Sequence, residues 1–172
     1  QSVTIFTGDS SLSATFNFWV TMNVDTKQER VKTLVKNKEV AITSPTNTAL
    51  GYTSLALSDI SSIKAIYDSG NTSNNAVPPT LTVSNASGTF IAGETITGGT
   101  SGAKGTVIAH TPLTTITFVV TSGTFAGTEA INGTTYTATM VSLAAGDTEI
   151  KSRYSLDTGQ RDNFYDHGRI QL

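Results

Sequence analysis

Residues 80–109 recur as residues 115–144 without a gap, identical at 12 of 30 positions, and this 35-residue period limits what the chain can fold into. Its clearest run, Ser87-Gly-Thr-Phe-Ile-Ala-Gly-Glu94-Thr-Ile-Thr-Gly98, returns as Ser122-Gly-Thr-Phe-Ala-Gly-Thr-Glu129-Ala-Ile-Asn-Gly133. Each copy reads as a strand, a Ser-Gly-Thr-Phe turn, a short strand through the isoleucine, a Gly-marked turn and a final strand. Neither unit can bury its apolar face alone, so the copies are expected to pack about a pseudo-twofold axis and close a small β-barrel or sandwich. Its core is predicted to hold Phe90, Ile96, Val107, Phe125, Ile131 and Val141. The recurrence of Glu94 and Glu129 invites a metal or sugar site, but a repeated solvent-facing turn residue is the more economical reading.

Composition places the repeat inside a larger β arrangement. Thr and Ser supply 49 of 172 residues and Gly a further 15, the chemistry of pleated, half-exposed surfaces and frequent turns, so the fold class is all-β. The polar, turn-rich stretch Asp68–Asn75 and the stiff Pro78-Pro79 mark a boundary, and from 79 to 143 the only charged residues are Glu94, Lys104 and Glu129. Charged, aromatic sequence resumes at 144. Residues 79–143 therefore read as an inserted repeat domain, and 1–78 plus 144–172 as a discontinuous outer domain, an Ig-like or related β-sandwich.

Several function classes fall away. Without cysteine, and with only His110 and His167 as imidazole ligands, the chain has too few donors for an ordinary zinc site. A net charge of −2 supplies no basic footprint for nucleic acid, and no apolar run is long enough for membrane insertion. Nucleophile-elbow, P-loop, HExxH and EF-hand patterns are all missing. No catalytic, cofactor-binding or metal-ligating residue is assigned. Gln1 in place of Met leads to the expectation that the chain is an excised or processed piece of a larger protein.

In the outer part, Ala14–Val24 alternates with Phe16, Phe18, Val20, Met22 and Val24 on one face, predicting a half-buried strand. Trp19 lies on the opposite face, either as a ligand platform or as cover for a neighbouring segment; with Tyr136 it forms the candidate ligand surface. Val31–Ile42 is read as a Lys-bearing strand, with a helix over Thr26–Lys38 as the competing reading. A strand over Ala49–Leu57 follows, then a single helical turn over Ser58–Ser62 capped by Ser58.

The last 20 residues combine charged and aromatic side chains. Asp157-Thr158-Gly159 is a turn sequence, and Arg161, Asp162, Asp166 and Arg169 follow at spacings that allow two carboxylate–guanidinium pairs. Phe164, Tyr165 and Ile170 are expected as apolar anchors. Two readings compete: a metal or catalytic cluster of Asp157, Asp162, Asp166 and His167, or a structural polar loop ending in an edge strand, which is preferred.

The run Leu156-Asp-Thr-Gly-Gln-Arg-Asp-Asn-Phe-Tyr-Asp-His-Gly-Arg-Ile170 resembles a signature of virion structural proteins, tail-fibre or baseplate-associated, of tailed, T4-like marine bacteriophages. Leu57–Asp68 is similar to a segment preceding that signature, and residues 13–43 are similar more loosely. The resemblance implies a non-enzymatic virion module serving in assembly or display, with other virion proteins as partners, and a homo-oligomer, by habit of such fibres a trimer. A receptor- or glycan-binding module used in host attachment is the alternative, and a hydrolase of surface polysaccharide, needing a carboxylate pair about 5–9.5 Å apart, ranks last. The long, nearly uncharged segment between the two matching stretches is what sets this chain apart.

Overall fold

A computed structural model describes residues 31–42, 51–162 and 164–172; the strand expected at Ala14–Val24, and Trp19 with it, lie outside the described residues. The chain is all-β, and residues 35–172 make one compact unit. Its strands are β1 (Thr53–Ser58), β2 (Tyr67–Asp68), β3 (Thr80–Ser84), β4 (Thr95–Gly98), β5 (Lys104–Thr111), β6 (Thr115–Ser122), β7 (Ala130–Asn132), β8 (Thr137–Ala144), β9 (Thr148–Glu149), β10 (Ser155–Asp157) and β11 (His167–Gln171).

β3 to β8 close an antiparallel barrel in the order β3-β6-β5-β4-β7-β8, which leaves no unpaired edge to recruit another chain. Positions 35 residues beyond β3, β4 and β5 fall on β6, β7 and β8, and exchanging the two sets of three strands leaves every pairing in place. Alternate residues point inward, so Leu81, Ile96, Val107, Ile116, Phe118 and Ile131 are fully buried, each contributing about 1.5–3 kcal/mol. Phe90 and Phe125, from the two Ser-Gly-Thr-Phe turns, complete the core with Met140.

Val141 is not part of it. Thr82 pairs with Ser142 and Val83 with Met140, so Val141 is the extra residue of a β-bulge and turns outward, 52 % exposed.

The chain enters and leaves the barrel side by side. Val77 N–H donates to Asp147 Oδ2 (2.6 Å), Asp147 N–H returns to Val77 O (2.8 Å), and β2 pairs with β9 just outside. Gly146 sits at φ 72 against Pro78, where a Cβ would come within 2.6 Å of backbone. The stretch after β2 is shaped by side chains bonding their own backbone: Asp68 Oδ1 accepts from Gly70 N–H, and Asn71 Oδ1 from Ser73 and Asn74.

Beyond the barrel, β11 lies between β1 and β10 in a three-stranded antiparallel sheet, so the expected edge strand is central among the described residues. Ile170 anchors that sheet at 2 % exposure. The helical turn expected at Ser58–Ser62 does not form. Ser58 ends β1, Asp59 adopts φ 57, outside the right-handed helical region, and Ile60 N–H goes to Thr158 O (3.2 Å).

The strand expected over Val31–Ile42 is also corrected. Residues 31–42 have neither ladder nor helix, and Val31, Leu34 and Val35 stay exposed. Alternation makes a strand only where a neighbour completes the hydrogen bonds. Here Asn37, left-handed at φ 56, interrupts the extended run and its Nδ2 donates to Val107 O instead (3.0 Å).

Candidate functional site

Two places concentrate polar side chains: the loop joining β10 to β11, and the pair of glutamates in the barrel. In the loop, Gly159 at φ 80 makes the turn, and a Cβ there would run into the Asp166 carbonyl oxygen. Asp166 N–H donates to Gly159 O (2.7 Å), and Gln160 bridges to Tyr165.

Asp157 then accepts from Gly159 N–H (3.0 Å) and takes both arms of the Arg161 guanidinium, Nη1 at 3.0 Å and Nη2 at 2.7 Å. The Arg161 hydrogen bonds, followed by that of Gly159, hold the Asp157 carboxyl well below the usual carboxylate range. Arg161 also stands 3.8 Å from Asp166, which pairs with Arg169. Arg169 in turn lies 4.4 Å from the centre of the Tyr52 ring. Gln160 Nε2 reaches Asp59 Oδ1 and ties the loop to the residue after β1.

Asp157, Arg161, Asp166 and Arg169 thus form one charge-compensated chain. Asp162 is exposed apart from it. His167 is exposed as well, and its backbone N–H bonds Asp166 Oδ1 (2.8 Å). Among the described residues no three His, Asp or Glu side chains are grouped to hold a metal ion. Phe164 and Tyr165 do not anchor the loop; they are 61 % and 49 % exposed. The backbone bonds and Gly159 shape the loop, so no ring has to be buried for it to hold.

The glutamates behave differently from solvent-facing turn residues. Glu129 is 3 % exposed. Its Oε2 accepts from the backbone N–H of Thr100 (2.9 Å) and Ser101 (2.8 Å), its Oε1 from the Ser101 hydroxyl (2.8 Å) and Ala126 N–H (2.9 Å). Burial alone would raise its pKa, but the N–H groups of Ser101, Ala126 and Thr100 and the Ser101 hydroxyl outweigh that and bring it from 4.5 to about 2.

Glu94, 35 residues earlier, accepts from Ile91 N–H (2.7 Å) and Thr134 N–H (3.0 Å) and is half-buried. Each glutamate therefore closes its own turn through the residue three before it and crosses to the β-turn of the other half. Gly98 and Gly133 make room for the carboxylates: a Cβ on Gly98 would lie 2.6 Å from Glu129 Oε2, and one on Gly133 3.2 Å from Glu94 Oε2. A carboxyl held at about 2 with four donors stays ionised and has no proton to give, so Glu129 cannot be a general acid near neutral pH.

Among the described residues, the aromatic rings of the barrel are buried or half-buried. Tyr136 lays its ring over Gly88 and packs against the barrel core, half-buried. Phe125 is 3 % exposed, and Tyr52 lies under Arg169. His110 Nδ1 accepts from Phe90 N–H (2.9 Å), leaving the proton of the neutral ring on a buried, unpaired Nε2. Burial lowers the His110 pKa, against a smaller opposing pull from Glu94. The burial of Glu129 escaped sequence reasoning; its one signal was the paired recurrence of Glu and Gly at a shared offset.

Comparison with protein families, curated proteins and solved structures finds no match.

Proposed function

We propose that this chain is a non-enzymatic structural module of a phage tail, fibre or baseplate, serving in assembly or display on the virion. The resemblance of Leu156–Ile170 to the virion signature suggests the setting. The observation that carries the reading is how the conspicuous polar side chains are used: Asp157, Arg161, Asp166 and Arg169 satisfy one another, and Glu129 gives its oxygens to backbone and Ser101. Groups committed in this way shape loops and are not free to meet a substrate.

Residues 79–143 hold two copies of one unit at a 35-residue period that close a barrel, set into a loop of an Ig-like outer sandwich made by 1–78 and 144–172. The clasp between Val77 and Asp147 suits such an insertion, since it brings the two barrel ends together. The parent assembly is a homo-oligomer, three copies being the expected number, in contact with other virion proteins.

Imaging intact particles with an antibody against this chain tests the setting: label confined to the tail or its fibres is expected, and label absent from particles overturns it. Incubating the protein with host-surface polysaccharide tests the rest. Unchanged polymer length is expected; reproducible shortening abolished by Asp162→Asn or Asp166→Asn would replace the structural reading with a hydrolase.

A further inference from the structure

The two halves of the barrel differ at one matched position beside the Ser-Gly-Thr-Phe turn. In the first half, His110 sets its ring edge-on to Phe90, centroids 5.3 Å apart, while Tyr136 covers Gly88. In the second half, the position 35 residues after His110 is Ala145, and Gly123 faces only Ala103, a Cβ there lying 3.1 Å from the Ala103 Cα. Where the first half has the His110 ring, the second therefore has the Ala145 methyl group. The result is an open cleft of about 170 Å³ walled by Pro79, Phe118, Val120, Gly123, Phe125 and Ala145. The cleft is half-open and, apart from Thr124, lined by apolar side chains, and its volume is of the order that holds a single six-membered ring, about 150 Å³ in an enclosed cavity that binds benzene.

We propose that this cleft receives the Phe164 ring of a second copy of the chain. Phe164 is the most exposed aromatic side chain among the described residues, at 61 %, on a loop whose shape is fixed without it. Charge favours the same docking. Lys104, the barrel's one cation, pairs in register with Ser122, next to Gly123 in the cleft wall. Asp162, two residues before Phe164, is the acid of the loop left outside its ion pairs, so a docked Phe164 brings Asp162 toward Lys104. Val120, 48 % exposed at the rim, adds apolar area around the ring. Loop and cleft are different surfaces of the chain, so the contact is head-to-tail; it closes a ring when the rotation allows, and three copies would satisfy the assembly proposed above. The inference rests on the two-copy reading of the barrel and gives the structural role its contact.

Sedimentation equilibrium of the 172-residue chain over a wide concentration range tests it. Self-association is expected, weakened at least about tenfold by Phe164→Ala, as for an aromatic anchor at an interface centre. Ala145→His, which supplies within the chain the ring present in the other half, should weaken it comparably with no loss of thermal stability. Lys104→Glu should weaken it, and adding Asp162→Lys should restore it. A chain that stays monomeric, or an assembly indifferent to both Phe164→Ala and Ala145→His, overturns the proposal. Free phenol occupying the cleft of a monomeric chain, seen as a shift of the Ala145 methyl resonance, overturns it in favour of a small-molecule site. The two-copy reading is checked separately: in Ala145→His the introduced imidazole should contact Phe125 by nuclear Overhauser effects as His110 contacts Phe90, whether or not the chain assembles.

Discussion

Glu94 and Glu129 occupy matched places in the two halves of the barrel, yet one is half-buried with two donors and the other 3 % exposed with four. The difference comes from the loop each one meets. Glu129 meets Thr100 and Ser101, where two successive N–H groups and a hydroxyl converge, whereas Glu94 meets the single N–H of Thr134. A carboxylate is worth burying only when its lone pairs are all engaged, so the richer loop draws its glutamate inside and the poorer one leaves its glutamate at the surface. A repeated residue type therefore does not imply a repeated energetic weight.

Deleting the side chains in turn separates the two glutamates by their energetic weight. Glu129→Ala strands several donors and opens a hole beneath the turn, and is expected to cost about 3 kcal/mol or more, read as a lower urea midpoint with an unchanged slope. Gly98→Ala attacks the same contact from the other side: its methyl would press on Glu129 Oε2 and the Ser101 hydroxyl, at a cost of about 2 kcal/mol. Glu94→Ala is expected to cost about 1–1.5 kcal/mol, because its carboxylate is partly solvated already. Equal losses for the two glutamates in thermal or urea melts would show that burial is not what separates them.

Much of the barrel was legible in the chain. Phe90, Ile96, Val107, Phe125 and Ile131 are all buried, because short strands and Gly turns with a fixed offset leave few ways to close. Val141 misled because a bulge depends on the partner strand, and its neighbour Met140 took the inward place. Val31–Ile42 misled because alternation states which face would be buried and not whether a ladder exists. The Asp157–Arg161 pair was within reach, being four residues apart around a Gly turn, while the fate of Glu129 depended on a loop 28 residues away. Local chemistry was readable; encounters between distant loops were not.

The mildest substitution takes one side-chain donor from Glu129. Ser101→Ala removes the hydroxyl that donates to Glu129 Oε1 at 2.8 Å and accepts from Ala103 N–H at 3.2 Å, but keeps the Ser101 backbone N–H, so near neutral pH it should cost about 1–1.5 kcal/mol. Acid makes the effect more diagnostic. The Glu129 pKa is lowered from 4.5 to about 2 on folding, so its contribution to stability is present in full above the unfolded value and is lost as pH falls from roughly 4.5 to 2. With one donor gone the folded pKa rises toward the unfolded one, and both the size of this loss and the pH span over which it occurs must shrink. Thermal melts between pH 6 and about pH 2 should therefore show the parent and Ser101→Ala curves converging at the acid end. Glu129→Gln should remove this part of the acid dependence altogether. Curves for Ser101→Ala that run parallel to the parent throughout would mean that the hydroxyl does not bear on the Glu129 charge, and that the backbone N–H groups alone hold it in its buried place.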